Sequence, residues 1–205
     1  MNGSDTSDTG TLLEHRTPSK HWVEFDATML QTTARTSFTL VFPITGEQIL
    51  LGLKRRGFGQ DLMNGFGGKV EDGESIEDAA IRELEEECGI RTTVSELEPR
   101  GRLTIVRPIH AGPTVFAKIF LFTCRTWSGH PVESDEMQPV WFDTHCLPFK
   151  QMWPDAPLYL PHLLKDTQDT CITGKFQYVE SSTTTLDGWW LKELSQEQNR
   201  KAHVD

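Results

Sequence analysis

Three glutamates, Glu83, Glu86 and Glu87, lie three and four residues apart within the segment Ser75 to Cys88, and Arg82 stands beside them. On a helix, residues at those spacings are surface neighbours, so the carboxylates share one patch. Each like-charged pair costs roughly 0.2–0.5 kcal/mol in an isolated helix, and the patch calls for compensating positive charge. Two readings satisfy that need. Arg82 paired with Glu86 one turn on makes a solvated acidic face with its own ion pair. Alternatively, the patch seats a hard cation, whose shell takes carboxylate oxygens and water, and a single helix supplies them without the ordering of separate loops.

The segment has the marks of a helix packed on a core. Ile76, Ala80, Leu84 and Cys88 recur every four residues, Ala79 and Ile81 widen that stripe, and Gly89 follows as a C-terminal stop. Glu74 stands at the helix start, directly after a glycine-rich stretch, RRGFGQDLMNGFGGKVEDG (55–73). Such a stretch predicts a loop whose backbone turns sharply or approaches another group closely.

Taken whole, GKVEDGESIEDAAIRELEEECGI (Gly68 to Ile90) resembles the Nudix box at every defining position. These are a glycine, a glutamate six residues on, then Arg-Glu, an aliphatic, a Glu-Glu pair, a glycine and an aliphatic. The resemblance implies an α+β Nudix fold with a mixed β-sheet sandwiched between α-helices. It also implies hydrolysis of a phosphoanhydride with Mg²⁺, for which Mn²⁺ can substitute, held by Glu83, Glu86 and Glu87 with Gly67 adjoining. Arg82 and Glu74 are expected to orient the carboxylates. Either Glu86 or a downstream acid, Glu136 in the segment ESDEM, is expected to act on the attacking water; the alternative for Glu136 is an exposed loop acid.

Beyond the box, LLGLKRRGFGQDLMNGFGGKV, PVESDEMQPVWF and PFKQMWPDAPLYLP are similar to the eukaryotic MutT homologues, which hydrolyse oxidised purine nucleoside triphosphates such as 8-oxo-dGTP to the monophosphate and pyrophosphate. That likeness runs from about Ser37 to about Leu194. It implies a base pocket at Trp153, Asn64 and Asp155, with Phe58 and Lys54 on the loop side and Thr39 and Leu40 on the first strand. The chemistry is coherent: an indole stacks on a base, and an amide and a carboxylate meet the donors and acceptors of a purine edge. Three positions depart from the pattern. Ala156 stands where a second Asp is usual, Met63 where a Trp precedes the asparagine, and Ile105 where a pocket Phe is expected. With Asp155 alone, a guanine-type edge is the expected preference. The box by itself leaves other diphosphate substrates open, among them an mRNA cap or a dinucleoside polyphosphate, and a non-catalytic nucleotide-binding module is a further alternative.

The elements that position these residues follow from periodicity. SFTLVFPITGEQILLGLK (37–54) predicts a hairpin around Thr45-Gly46-Glu47. Pro99 is expected to break the chain before RLTIVR. PTVFAKIFLFTCR reads as a central strand and MQPVWFDT as another. PDAPLYLPHLLKD predicts a short helix bent near Pro161, and WWLKELSQEQNRK a C-terminal helix. Trp189-Trp190 marks either a partner surface or a pair packed on the sheet. Domain boundaries are expected at 1–36 (an extension, at least partly disordered, with residues 1–11 too polar to order), 37–195 and 196–205.

The composition excludes some partners. With 205 residues, 37% of them apolar, the chain can bury one ordinary core. A formal charge of −10 argues against wrapping a long nucleic-acid backbone, whose affinity comes from Lys and Arg. Scattered Cys88, Cys124, Cys146 and Cys171 predict reduced thiols. No apolar run approaches a membrane span and no signal peptide is present. A monomeric, intracellular protein is therefore expected, cytoplasmic with nucleus or mitochondrion left open, acting on a small-molecule nucleotide.

Overall fold

The computed structural model describes residues 11–16, 35–111, 114–165, 170–195 and 197. Alternation in Arg35–Thr45 (β2, after a short strand β1 at Thr11–Arg16) decides the layering. Leu40, Phe42 and Ile44 join one buried cluster and Val41 another, because successive strand residues leave opposite faces. β2 turns at Gly46 into Gln48–Lys54 (β3) through two antiparallel pairs, Ile44↔Ile49 and Thr45↔Gln48. The expected hairpin is thus present but brief. β3 then pairs with Met63–Asn64 (β4) and along its length with Met137–Asp143 (β7).

On its other side β2 runs parallel to Val115–Cys124 (β6), which pairs antiparallel with Leu97–Arg107 (β5). Beyond β5 come Thr170–Tyr178 (β8), parallel to it, and Leu186–Ser195 (β9), antiparallel to β8. The order is β1-β9-β8-β5-β6-β2-β3-β4, with β7 on β3. Among the described residues, two helices cover this mixed sheet. Ile76–Cys88 (α1) packs Ala80, Leu84 and Cys88 against Val41, Leu50, Phe66 and Phe122. Ala156–Leu163 (α2), with Pro161 inside it, packs Leu160 and Leu163 among Phe42, Ile49, Leu103 and Phe176. The expected α+β sandwich is what forms. Among the described residues, no helix is long and apolar enough to cross a membrane.

Four expectations need correction. Of the segment read as a C-terminal helix (189–201), the part from Trp189 to Ser195 belongs to the strand β9, hydrogen-bonded on both sides by β8 and β1. Leu191 and Leu194 are buried three residues apart, which mimics a helical stripe, but both edges of the segment are claimed by neighbouring strands. Residues Thr11–Arg16, within the extension expected to be at least partly disordered and beginning at the last residue of the stretch read as too polar to order, form β1 on β9, and Leu13 packs on the core. The rest of the extension, and the 196–205 tail apart from residue 197, lie outside the described residues. β2 starts at Arg35, two residues before the expected boundary. Pro99 does not break the chain: it lies inside β5 opposite Phe122, at a bulge before Gly101. β5 meets β8 only from Gly101 onward, so at Pro99 the missing N–H breaks no bond to β8. All four cysteines are free thiols, as expected.

Candidate active site

Helix α1 is fixed at both ends by its own sequence. The Ser75 hydroxyl accepts the Asp78 amide at 3.0 Å, and Gly89, at φ 73°, donates its N–H to the Glu85 carbonyl. This caps orphan groups at either end and sets the rotation of the helix. The Ala80–Leu84–Cys88 stripe faces inward, and the carboxylate patch then borders the glycine-rich loop.

Within that patch Arg82 acts as a clamp. Its Nε and Nη2 donate to the two Glu74 oxygens at 2.8 and 3.0 Å, Nη1 donates to Glu83 at 2.8 Å, and Glu86 lies at 3.4 Å. Nη2 also reaches the Lys69 carbonyl, tying loop to helix. The Arg82 bond holds the Glu74 carboxyl below the ordinary range. Glu83 is pushed up by burial against the pull of Arg82. Glu87 is 4% exposed, and burial pushes it up to about 7, although the Gly67 amide and Lys54 favour its charged form.

Gly67 reaches Glu87 because it has no side chain. At φ 151° its backbone passes so close to β2 that a Cβ would fall 2.1 Å from the Thr39 carbonyl oxygen. Its N–H donates to Glu87 Oε2 at 2.8 Å. Glu136 arrives by a different route. Ser134 donates to the Glu87 carbonyl at 2.9 Å and accepts the Met137 amide, which staples the ESDEM segment to the end of α1. Glu136 then pairs with Lys54, whose Nζ also lies 3.5 Å from Glu87. Lys54, expected on the loop side of the base pocket, thus has its ammonium among the carboxylates.

The donors fit a hard cation in kind: all are carboxylate oxygens, with Glu86 and Glu136 repelling the Glu83 charge and Glu83 and Glu136 repelling that of Glu87. Among the described residues, no three acidic, His or Cys side chains stand close enough to enclose an ion as they are oriented. Arg82 and Lys54 hold Glu83 and Glu136, while the Glu86 side chain is 61% exposed and meets Arg82 only at 3.4 Å.

The second group of residues gathers across the sheet. Trp153 stacks on Phe58 with ring centroids 5.1 Å apart. Asn64 pairs with Gly52 on β3. Leu40, Met63, Ile105 and Ala156 are buried in one cluster, against which Trp153 packs. Thr39, expected in the same pocket, lies on the opposite face of β2, the one shared with Val41; it is fully buried, and among the described residues its Oγ1 has no hydrogen-bond partner. Asp155 opens α2 without capping it: its Oδ1 accepts the Tyr178 hydroxyl at 3.0 Å. Burial pushes the Asp155 carboxyl up, while Tyr178 and Arg107 oppose that shift. Ala156 is 1% exposed, so a second carboxyl there would enter the core cluster.

Two residues of this region escaped the sequence reading. Tyr178 bonds Asp155, and the Arg107 guanidinium lies over the rings of Phe58, Trp153 and Tyr178. Strand alternation carried a signal for Arg107, because it follows Ile105 by two residues and shares its face. Trp189 packs on the sheet, stacked with Phe176 at 6.3 Å.

Residues 34–163 match the model of the NUDIX domain. The chain is 45% identical over 127 residues to the oxidized purine nucleoside triphosphate hydrolase of Danio rerio, covering 62% of this chain and 78% of that protein. To the Mus musculus protein of the same description it is 38% identical over 146 residues, covering 71% and 88%. It is 32% identical over 120 residues to the 8-oxo-dGTP diphosphatase of Haemophilus influenzae, covering 57% and 83%. Among solved structures, the MutT protein of Bacillus halodurans aligns with a TM-score of 0.66 over 76% of this chain and 97% of that one, at 24% identity, a likeness of fold.

Proposed function

Because the chain belongs to the NUDIX family and is a Nudix hydrolase, we propose that it hydrolyses oxidised purine nucleoside triphosphates, 8-oxo-dGTP foremost, to the monophosphate and pyrophosphate. The relatives from zebrafish, mouse and Haemophilus carry activities of this kind in their names. The observation that carries the reading is the junction built by β3. Lys54 at its end meets Glu87 and Glu136, and Gly52, two residues back, pairs with Asn64. A triphosphate lying on the carboxylate patch would therefore have its base directed toward Asn64, Trp153 and Asp155.

Nudix hydrolases generally use a divalent metal. Mg²⁺, or Mn²⁺ in its place, would be held by Glu83, Glu86 and Glu87 with Gly67 adjoining, and would supply charge neutralisation on the diphosphate and a more acidic water. The chain's own groups do the rest. Arg82, bound to Glu74 and Glu83, positions carboxylates and has little capacity left for substrate. Glu86, the most open of the cluster, is the residue able to turn toward a water. Glu136 is neutralised by Lys54 and serves to hold that lysine near the phosphates.

Phosphorus NMR of the products tests the chemistry: pyrophosphate and the monophosphate are expected, and orthophosphate with the diphosphate would overturn it. Glu86→Gln should lower kcat at least about a hundredfold while nucleotide affinity changes by less than about threefold, since a group acting in the transition state affects turnover more than binding. A variant within tenfold of the parent would remove Glu86 from the machinery.

A further inference from the structure

Arg107 puts a cation in the middle of a pocket otherwise lined by rings. Its Cζ lies 4.6 Å from the Phe58 centroid, 4.8 Å from Trp153 and 4.5 Å from Tyr178. Three aromatic faces fix the plane and position of the guanidinium, a group that favours such stacking. Among the described residues, its buried Nε has no hydrogen-bond partner. A buried donor left unmade is costly, and an acceptor brought by a ligand would relieve it. The Tyr178 hydroxyl also bonds the guanidinium, which leaves that one N–H unmade. Asp155 stands beside this cation and is linked to the same ring, its Oδ1 accepting the Tyr178 hydroxyl; burial pushes its carboxyl up, and Tyr178 and Arg107 oppose that shift.

A fixed donor next to a fixed acceptor selects among purine edges. Guanine-type bases present a carbonyl oxygen at the six position beside N–H donors at positions one and two. Adenine-type bases present an amino group at the six position, and a guanidinium has no acceptor to meet it. We infer that Arg107 is a specificity-determining residue, donating to the six-position carbonyl of a guanine-type base while Asp155 accepts from that base's N–H groups. The inference rests on the reading of this region as a purine pocket, and it names the base that the pocket takes. A site built on hydrogen bonds rejects a wrong edge because its own buried polar groups then stay unpaired. Ala156, where a second carboxyl could have offered a proton donor, leaves Arg107 and Asp155 as the hydrogen-bonding pair beside the rings.

The test is calorimetric titration of the full chain, without metal, with 8-oxo-dGMP and 8-oxo-dAMP, which share the oxidised ring and differ in the edge that Arg107 and Asp155 would read. The parent protein is expected to prefer 8-oxo-dGMP. Arg107→Met should reduce that preference by about tenfold, the scale of one good bidentate contact. Arg107→Gln, which offers both a donor and an acceptor, should bring the two affinities together while preserving a polar group in the pocket, and it serves if the methionine variant does not fold. Thermal melting of both variants checks that they are folded. A parent preference that survives within twofold in a folded variant would overturn the role of Arg107 and leave the purine pocket standing. A parent protein that binds neither nucleotide would overturn the pocket reading and this inference together.

Discussion

Burial pushes Glu87 up to about 7, while the Gly67 amide and Lys54 offset part of the desolvation. The sign of its effect on stability follows from linkage. A native carboxyl that holds its proton more tightly than the ordinary value of 4.5 contributes stability fully present below that value and lost as pH rises through about 7. Urea unfolding in the presence of a chelator should therefore show the parent losing more stability between about pH 5 and 8 than Glu87→Gln does. Parallel pH profiles for the two proteins would contradict the assignment. Glu83, Glu86, Glu87, Arg82 and Glu74 were legible in the sequence because a helical period and a continuous motif place them on one surface. Lys54 was legible as a site residue but not in its contacts. Its place between Glu87 and Glu136 depends on the Ser134 staple, which joins segments 47 residues apart.

At the scale of elements, α1 is both the carrier of the carboxylates and a core element. Leu84 is fully buried between β2 and β3 residues such as Val41 and Leu50. Leu84→Ala should lower the unfolding free energy by about 2–5 kcal/mol, the usual range for emptying such a site. A loss below about 1 kcal/mol in urea denaturation would mean that α1 is not anchored by this stripe. The period of α1 made it readable, whereas β8 and β9 defeated the same reasoning. In β8, Thr173, Lys175 and Gln177 alternate with apolar residues and are nonetheless buried, so a pattern that reads as half-exposed belongs to an interior strand. In β9, Leu191 and Leu194 imitate a helical stripe, and only the pairing with β8 and β1, far away in sequence, decides the outcome.

Across the whole molecule, the sheet runs from β1 at one edge to β4, with Asn64, at the other. Thr11–Arg16 is thus remote from the carboxylate helix and from the β3–β4 junction, although Leu13 packs on the core. Removing residues 1–16 should lower stability by about 1–3 kcal/mol, the burial of one aliphatic side chain together with its strand contacts, and leave kcat/KM within about threefold. A far larger fall in activity, with the fold intact, would tie the N-terminal strand to the site. Substrate choice is read from pyrophosphate release with Mg²⁺ from 8-oxo-dGTP, 2-oxo-dATP, dGTP and an mRNA-cap analogue, compared as kcat/KM. The oxidised purines are expected to lead, with 8-oxo-dGTP first. Similar weak rates on all four, or preference for the cap analogue, would contradict that expectation and leave only the Nudix chemistry.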